Sequence, residues 1–207
     1  MKIKTVTVGS YSTNCYLAWC PETSQGIVID PGFEPERINS EIESLGIEVK
    51  AVVNTHGHLD HIGGNREVAE KHECPVYISR ADETMLDNPD LNCSARLGAA
   101  VTSPGAGRLL EDGDEISFGQ VTLHVLATPG HTPGSICLKG PGVLFSGDTL
   151  FADSVGRTDL PGGSHQQLQE SLRHKLFPLP VQTRVLPGHG PETTMEKERQ
   201  QNPWLQG

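Results

Sequence analysis

The stretch Thr55-His56-Gly57-His58-Leu59-Asp60-His61 decides how this chain reads. Four metal-capable side chains fall within six residues, between the apolar run Val49–Val53 and the glycine pair Gly63-Gly64. A helical H-E-x-x-H site spaces its histidines four apart on one helix face. His56 and His58 are only two apart with glycine between them, so the stretch reads as a loop leaving a strand. His56 and His58 can then point one way, Asp60 and His61 another, an arrangement that suits two adjacent ions better than one closed tetrahedral site. A turn carrying a single histidine needs no special account. Three histidines and an aspartate this close would repel when protonated and compete for hydrogen bonds, which makes them poor loop filler. Imidazole and carboxylate are ligands for zinc, iron and similar ions.

Three further turns share this shape: a short apolar run, then glycine or proline around one metal-capable residue. They are Thr128-Pro129-Gly130-His131-Thr132-Pro133-Gly134, Ser146-Gly147-Asp148-Thr149 and Pro187-Gly188-His189-Gly190-Pro191. Alone, either histidine reads as an ordinary turn residue. Beside the central motif they supply the partners needed to complete four or five bonds per ion. His56, His58 and His131 could hold one ion, and Asp60, His61 and His189 the other, with Asp148 as the bridging carboxylate.

The rest of the chain frames this constellation. Its 207 residues can bury one sizeable core, and its 35% hydrophobic and 20% charged content is that of a soluble globular protein. A formal charge of −10 disfavours nucleic acid as a partner, because phosphate binding rests on a basic surface. Met1-Lys2-Ile3-Lys4-Thr5-Val6 alternates like a strand and lacks the apolar core of a secretion signal. No run approaches the roughly 18 apolar residues of a membrane span, so no membrane partner is expected. Five cysteines, Cys15, Cys20, Cys74, Cys93 and Cys137, form no C-x-x-C pair and read as thiols of a reducing compartment, the cytoplasm by default.

Strand-like runs cover residues 2–8, 14–19, 26–30, 49–53 and 75–78, then 109–110, 115–118, 121–127, 135–139, 143–145 and 183–186. Helices are expected over 34–45, closed by Gly46, over 65–72, from a Ser164 cap to about Leu176, and over 192–201. Residues 81–100 read as mixed helix and loop. Two strand clusters with helices after each predict one domain over residues 1–207, with two sheets face to face and helices outside.

The motifs T-H-x-H-x-D-H, P-G-H-T-P-G, G-D-T-L-F and L-P-G-H-G-P, with Asn14-Cys15-Tyr16-Leu17, Asp30-Pro31-Gly32 and Asn202-Pro203-Trp204-Leu205, resemble the metallo-β-lactamase superfamily. Within it the chain looks most like short bacterial glyoxalase II-like hydrolases (hydroxyacylglutathione hydrolases). The resemblance implies an α/β fold, an αββα four-layer sandwich of two mixed sheets with a dinuclear site at one edge. It implies a small-molecule thioester substrate and two divalent ions, zinc first, with iron or manganese the other candidates. A metal-bound hydroxide would be the nucleophile and Asp60 would orient it. Longer glyoxalase II enzymes carry a helical region after the last histidine ligand that helps grip glutathione, whereas 18 residues follow His189. The best-known lactamases place cysteine where this chain has Asp148, which argues against a lactamase.

Other residues weigh less. His72, His124, His165 and His174 lack metal-like neighbours and read as structural or solvated. Tyr16 and Phe151 read as core or pocket wall. Arg157, in Gly156-Arg157-Thr158-Asp159, reads first as a loop-stiffening partner of Asp159 or Asp153 and second as a fork for a substrate carboxylate. That same stretch is similar to persulfide dioxygenases, which hold one iron with two histidines and an aspartate; this is the alternative function. A binding protein with purely structural metals fits least, because structural zinc favours closed, often cysteine-rich sites.

Overall fold

The computed structural model describes residues 1–98 and 100–205. Its first sheet contains β1 (Lys2–Val8), β2 (Thr13–Trp19), β3 (Gln25–Ile29), β4 (Glu48–Val53), β5 (Val76–Ser79) and β6 (Arg108–Leu110), hydrogen-bonded in that order. β1 to β3 are antiparallel and β3 to β6 parallel. Parallel neighbours need a crossover, and helices α1 (Pro35–Leu45), α2 (Leu59–Ile62) and α3 (Asn65–Lys71) lie in these connections.

The second sheet draws on β7 (Glu115–Phe118), β8 (Val121–Ala127), β9 (Ile136–Gly140) and β10 (Val143–Gly147). A small separate hairpin follows, β11 (Leu150–Phe151) with β12 (Ser154–Val155). Helix α4 (His165–Ser171) then leads to β13 (Arg184–Pro187), β14 (Thr193–Thr194) and α5 (Met195–Gln201). The order across the sheet is β14-β13-β10-β9-β8-β7, with β10 and β13 parallel.

Side-chain alternation along each strand separates the layers. Tyr16, Ile27, Ile29 and Val53 of the first sheet meet Phe118, Leu123, Leu138 and Phe145 of the second in a shared core. The opposite faces are buried too: Leu17, Val28 and Val52 against Ile38 and Ile42 of α1 and Val68 of α3, and Leu144 and Val185 against Leu168 of α4 and Met195 of α5. Strands covered on both faces are apolar throughout rather than alternating, and all five residues of β10 are buried. The result is the αββα sandwich of two mixed sheets that the resemblance implies.

Helix α1 shows how locally this is set. Pro35 occupies its start, where a missing N–H costs nothing, and Gly46 ends it at φ 65° with its N–H on Glu43 O and Ile42 O. Ile38 and Ile42, four apart, are its buried stripe. Truncating Ile42 to alanine would cost about 2–5 kcal/mol.

Several elements depart from the sequence reading. Leu109-Leu110 closes the first sheet by pairing with β5, so the second cluster of strands begins at Glu115. The last helix starts at Met195, because Thr193 and Thr194 pair with β13 and the Thr194 hydroxyl accepts Lys197 N–H. The helix capped by Ser164 widens into a π turn over Leu172–Leu176. Within 81–100 the chain forms 3-10 helices at Arg80–Leu86 and Ser94–Leu97, and Ala99 lies outside the described residues. No helix among the described residues is long and apolar enough to cross a membrane.

Candidate metal centre

Every predicted ligand lies just past a strand end: His56 to His61 after β4, His131 after β8, Asp148 after β10 and His189 after β13. A rigid sandwich thereby aims four loops at one point. The central loop is fixed first by Asp30, at the end of β3, whose carboxylate accepts Thr55 N–H at 2.7 Å and the Thr55 hydroxyl at 2.6 Å. Beyond His58 the sequence predicts a plain loop. Instead Leu59–Ile62 makes one helical turn, in which His58 O accepts the N–H of His61 and Ile62. Asp60 and His61 are thus turned away from His56 and His58. At Gly188 a Cβ would sit 2.2 Å from Asp148 Oδ1, so the backbone must approach this closely without a side chain.

The structure brings all seven residues together. Three groups have donor atoms within 4.8 Å of one another: His56, His58 and His131; His56, His61 and Asp148; and Asp60, His61 and His189. His58 Nδ1 faces His131 Nε2 at 2.9 Å, and His61 Nε2 faces His189 Nε2 at 3.3 Å. Asp148 lies between the outer two groups. Its Oδ2 is 3.5 Å from both His131 Nε2 and His189 Nε2, and its Oδ1 is 3.5 Å from His61 Nε2. Asp60 Oδ2 is 3.2 Å from His189 Nε2 and accepts the Thr13 hydroxyl at 3.2 Å.

The far sides of the rings fix their tautomers. His131 Nδ1 donates to Arg157 O at 2.7 Å and His189 Nδ1 to Tyr11 O at 3.0 Å, since a carbonyl can only accept. His61 Nδ1 lies 3.0 Å from Asp30 Oδ2. Outer partners of this kind turn the Nε2 lone pairs inward, as metal-ligating histidines require. His56 Nε2 and Asp148 Oδ1 are buried without a hydrogen-bond partner, as is His58 Nε2 on the ring edge opposite its inward-facing Nδ1. Facing lone pairs and unpartnered buried acceptors are costly, and cations between them would satisfy both. The donor set fits metal.

Electrostatics divide the cluster. Burial, reinforced by the neighbouring imidazoles, drives His56 well below its ordinary pKa and His58 down to about 3. Burial acts in the same sense on His61, but Asp60, Asp148 and Asp30 overrule it and raise that imidazole to about 10. Burial also presses His189 down, but Asp60 and Asp148 together outweigh it and raise that imidazole. Burial works against the Asp60 charge, yet His61 and His189 pull its carboxyl well below the usual range.

Above the cluster opens a cavity of about 550 Å³. Leu59, Phe151, Val155 and Leu160 form apolar wall, while Cys93, Arg96 and Arg157 also line it. The Arg157 guanidinium is held by Asp159 through bonds of 2.7 and 2.8 Å, and Asp153 pairs instead with Lys197. Tyr16 is core, donating its hydroxyl to Pro187 O. His72 meets Asn39, His124 meets Glu115 and His165 meets Trp204, all away from the centre.

The sequence reading missed Asp30 and Asn54 as site-forming residues. Asn54 Nδ2 donates to His61 O and pairs with Asn65. Both follow strand ends, but Asp30-Pro31-Gly32 enters the resemblance without a role for its carboxylate, and a lone asparagine carries no spacing.

Comparison with known proteins agrees with this geometry. The metallo-beta-lactamase superfamily pattern matches residues 8–189. A probable metallo-hydrolase, YqgX, of Bacillus subtilis is 41% identical over 100% of this chain and 99% of its own. The hydroxyacylglutathione hydrolase GloC of Haemophilus influenzae is 34% identical over 99% of this chain and 98% of its own. Among solved structures, the BLEG-1 B3 metallo-beta-lactamase superposes with a TM-score of 0.95 at 38% identity, covering 100% of both chains. TTHA1623 in a di-iron-bound form gives 0.88 at 39%, covering 98% of this chain and 100% of that one. ETHE1 from Myxococcus xanthus gives 0.82 at 32%, covering 98% and 84%.

Proposed function

The chain belongs to the metallo-beta-lactamase superfamily, and from that premise we propose that it is a metal-dependent hydrolase of small acyl thioesters. The observation that carries this reading is the pair of adjoining donor groups with Asp148 3.5 Å from His131 of one and from His61 and His189 of the other, on the wall of an open cavity. His56, His58 and His131 would hold one ion, Asp60, His61 and His189 a second, and Asp148 would bridge them. Zinc suits these ligands, as do iron and manganese, and the di-iron form of TTHA1623 keeps iron in view. Two such ions, when bound, acidify water toward a pKa of about 7 and polarise an acyl carbonyl.

The chain's own side chains do the rest. Asp60, steadied by the Thr13 hydroxyl, orients the attacking water. Leu59, Phe151, Val155 and Leu160 seat the acyl group and thin out bulk water around it. A thiolate, conjugate base of an acid of pKa about 8.5, departs without a protein acid. The GloC relative supports this substrate class. The five free cysteines fit a reducing compartment such as the cytoplasm.

A second reading, a persulfide dioxygenase using a single iron, draws on the ETHE1 likeness and the Gly156–Asp159 stretch. Elemental analysis of purified protein, beside assays with a thioester panel, a persulfide under oxygen and a β-lactam, separates the candidates. Two ions with thioester turnover sustain the proposal. One iron with oxygen uptake replaces it with the dioxygenase. Faster opening of the β-lactam than of any thioester assigns β-lactamase chemistry instead, as the name of the BLEG-1 neighbour has it.

A further inference from the structure

One buried carboxylate beside the centre has no part in the chemistry above. Asp82 lies in the 3-10 helix after β5 and is fully shielded from solvent. Burying a carboxylate is expensive unless donors surround it. Asp82 has three. Its Oδ2 accepts Gly57 N–H at 3.1 Å and the Thr132 hydroxyl at 2.6 Å, and its Oδ1 accepts Gly134 N–H at 2.7 Å.

These donors come from two loops on different sheets. Gly57 stands between His56 and His58, in the loop that leaves β4. Thr132 follows His131, and Gly134 completes the same turn after β8. One carboxylate therefore ties together the loops that carry His56, His58 and His131, across the seam of the sandwich. Asp60, His61 and His189 have partners of their own in Thr13, Asp30 and Tyr11, although Asp60 and His61 follow Gly57 on the same loop and Asp30 also holds Thr55 beside His56. The geometry points to Asp82 as a positioning residue that holds His56, His58 and His131 at their mutual spacing and so sets the metal affinity of that group alone. This rests on the metal-site reading above.

Asparagine at position 82 keeps the size and defeats the clamp. However its amide is turned, the NH2 meets a backbone N–H: Gly134 on one side, or Gly57 on the other. Gly134→Ala attacks the contact from the opposite direction, because its Cβ would lie 2.6 Å from Asp82 Oδ1 and from Asp82 N. Thr132→Val removes one bond, and Thr132→Ser restores it.

The test is titration of metal-stripped full-length protein with Zn²⁺ against a competing chelator, in two backgrounds. His189→Ala leaves the His56, His58 and His131 group complete; His58→Ala leaves the Asp60, His61 and His189 group complete. Asp82→Asn should weaken zinc about 10- to 100-fold in the first background, on the scale of losing an outer-shell partner, and less than about threefold in the second. Gly134→Ala should act like Asp82→Asn. Thr132→Val should give a smaller loss confined to the first background, and Thr132→Ser should match its parent. If Asp82→Asn fails to fold, the Thr132 pair carries the same comparison. Equal losses in both backgrounds, or none in the first, overturn the assignment. Absence of zinc binding in the unmutated protein would instead remove the metal reading, and the inference with it.

Discussion

The two donor groups are neighbours built on opposite electrostatic plans. His56, His58 and His131 are 1%, 4% and 2% exposed and offer only nitrogen. Burial keeps His56 and His58 uncharged, and the backbone carbonyl of Arg157 holds the His131 ring. Asp60, His61 and His189 instead sit in the field of Asp30 and Asp148, and the His189 side chain is 26% exposed. A field that holds a proton on His61 up to about pH 10 would hold a metal ion in its place. The first group is ready because its lone pairs are desolvated and fixed. The second attracts a cation by charge, and its His189 is the most open to solvent, although His58 and His131 of the first group also line the cavity. Desolvation and charge are thereby given to different donor groups, although the loop after β4 feeds both.

Asp148 is where this division is bridged, so its loss gives the largest expected effect. Asp148→Asn removes the charge that faces His61, His131 and His189 together. Metal content should fall below about one ion per chain and thioester turnover by about 1,000-fold. Two retained ions with more than about a tenth of the activity would show that the groups work independently of the carboxylate between them.

Asp60→Asn tests the charged group by itself. It keeps the shape that meets Thr13 but loses the charge facing His61 and His189. Turnover should drop about 100-fold or more, and elemental analysis should show mainly the second ion missing. Near-normal turnover would mean that Asp60 neither orients the nucleophile nor holds a needed metal.

That these seven residues come together was legible because each follows an apolar run and sits among glycines or prolines. Strand-then-turn is a pattern that local chemistry writes directly. The four-layer architecture was legible for the related reason that helix and strand periods differ. What stayed hidden depends on contacts distant in sequence. Asp30 acts on Thr55, 25 residues later, and Asp82 reaches Thr132 across 50. Neither has a spacing that marks it. The helical turn at Leu59–Ile62 is too short for any periodicity to show, and β6 joins the first sheet only because Tyr77–Ser79 offers it a parallel edge.

A smaller effect should appear in the stability of chelator-treated protein. His58 has a folded pKa near 3 against about 6.5 in the unfolded chain. The unfolded chain takes up that proton first, so stability falls as pH drops from 6.5 toward 3. His61 is shifted the other way, to about 10. Its contribution is fully present below 6.5 and fades as pH rises through 10. Urea midpoints between pH 4.5 and 9 should therefore peak near neutrality. His58→Gln should flatten the acid limb and His61→Gln the alkaline one. Flattening of the same limb by both variants would break the electrostatic division.

The smallest effect is expected at Arg157, which touches both halves of the comparison by different atoms. Its carbonyl fixes His131, and its guanidinium lines the cavity while gripping Asp159. Arg157→Ala keeps the carbonyl, so metal content should not change. The side chain is exposed and already paired, and exposed ion pairs contribute little. If it reaches a substrate carboxylate it must leave Asp159, which offsets part of the gain. We expect kcat/KM for S-lactoylglutathione to fall about two- to fivefold, mostly through KM, with lactoyl esters of shorter thiols unaffected. A loss above about 30-fold on the glutathione ester alone would make Arg157 the principal carboxylate grip. A strong preference for that ester, unchanged in Arg157→Ala, would move the grip to another part of the cavity wall, where Arg96 is the remaining cation among the lining residues.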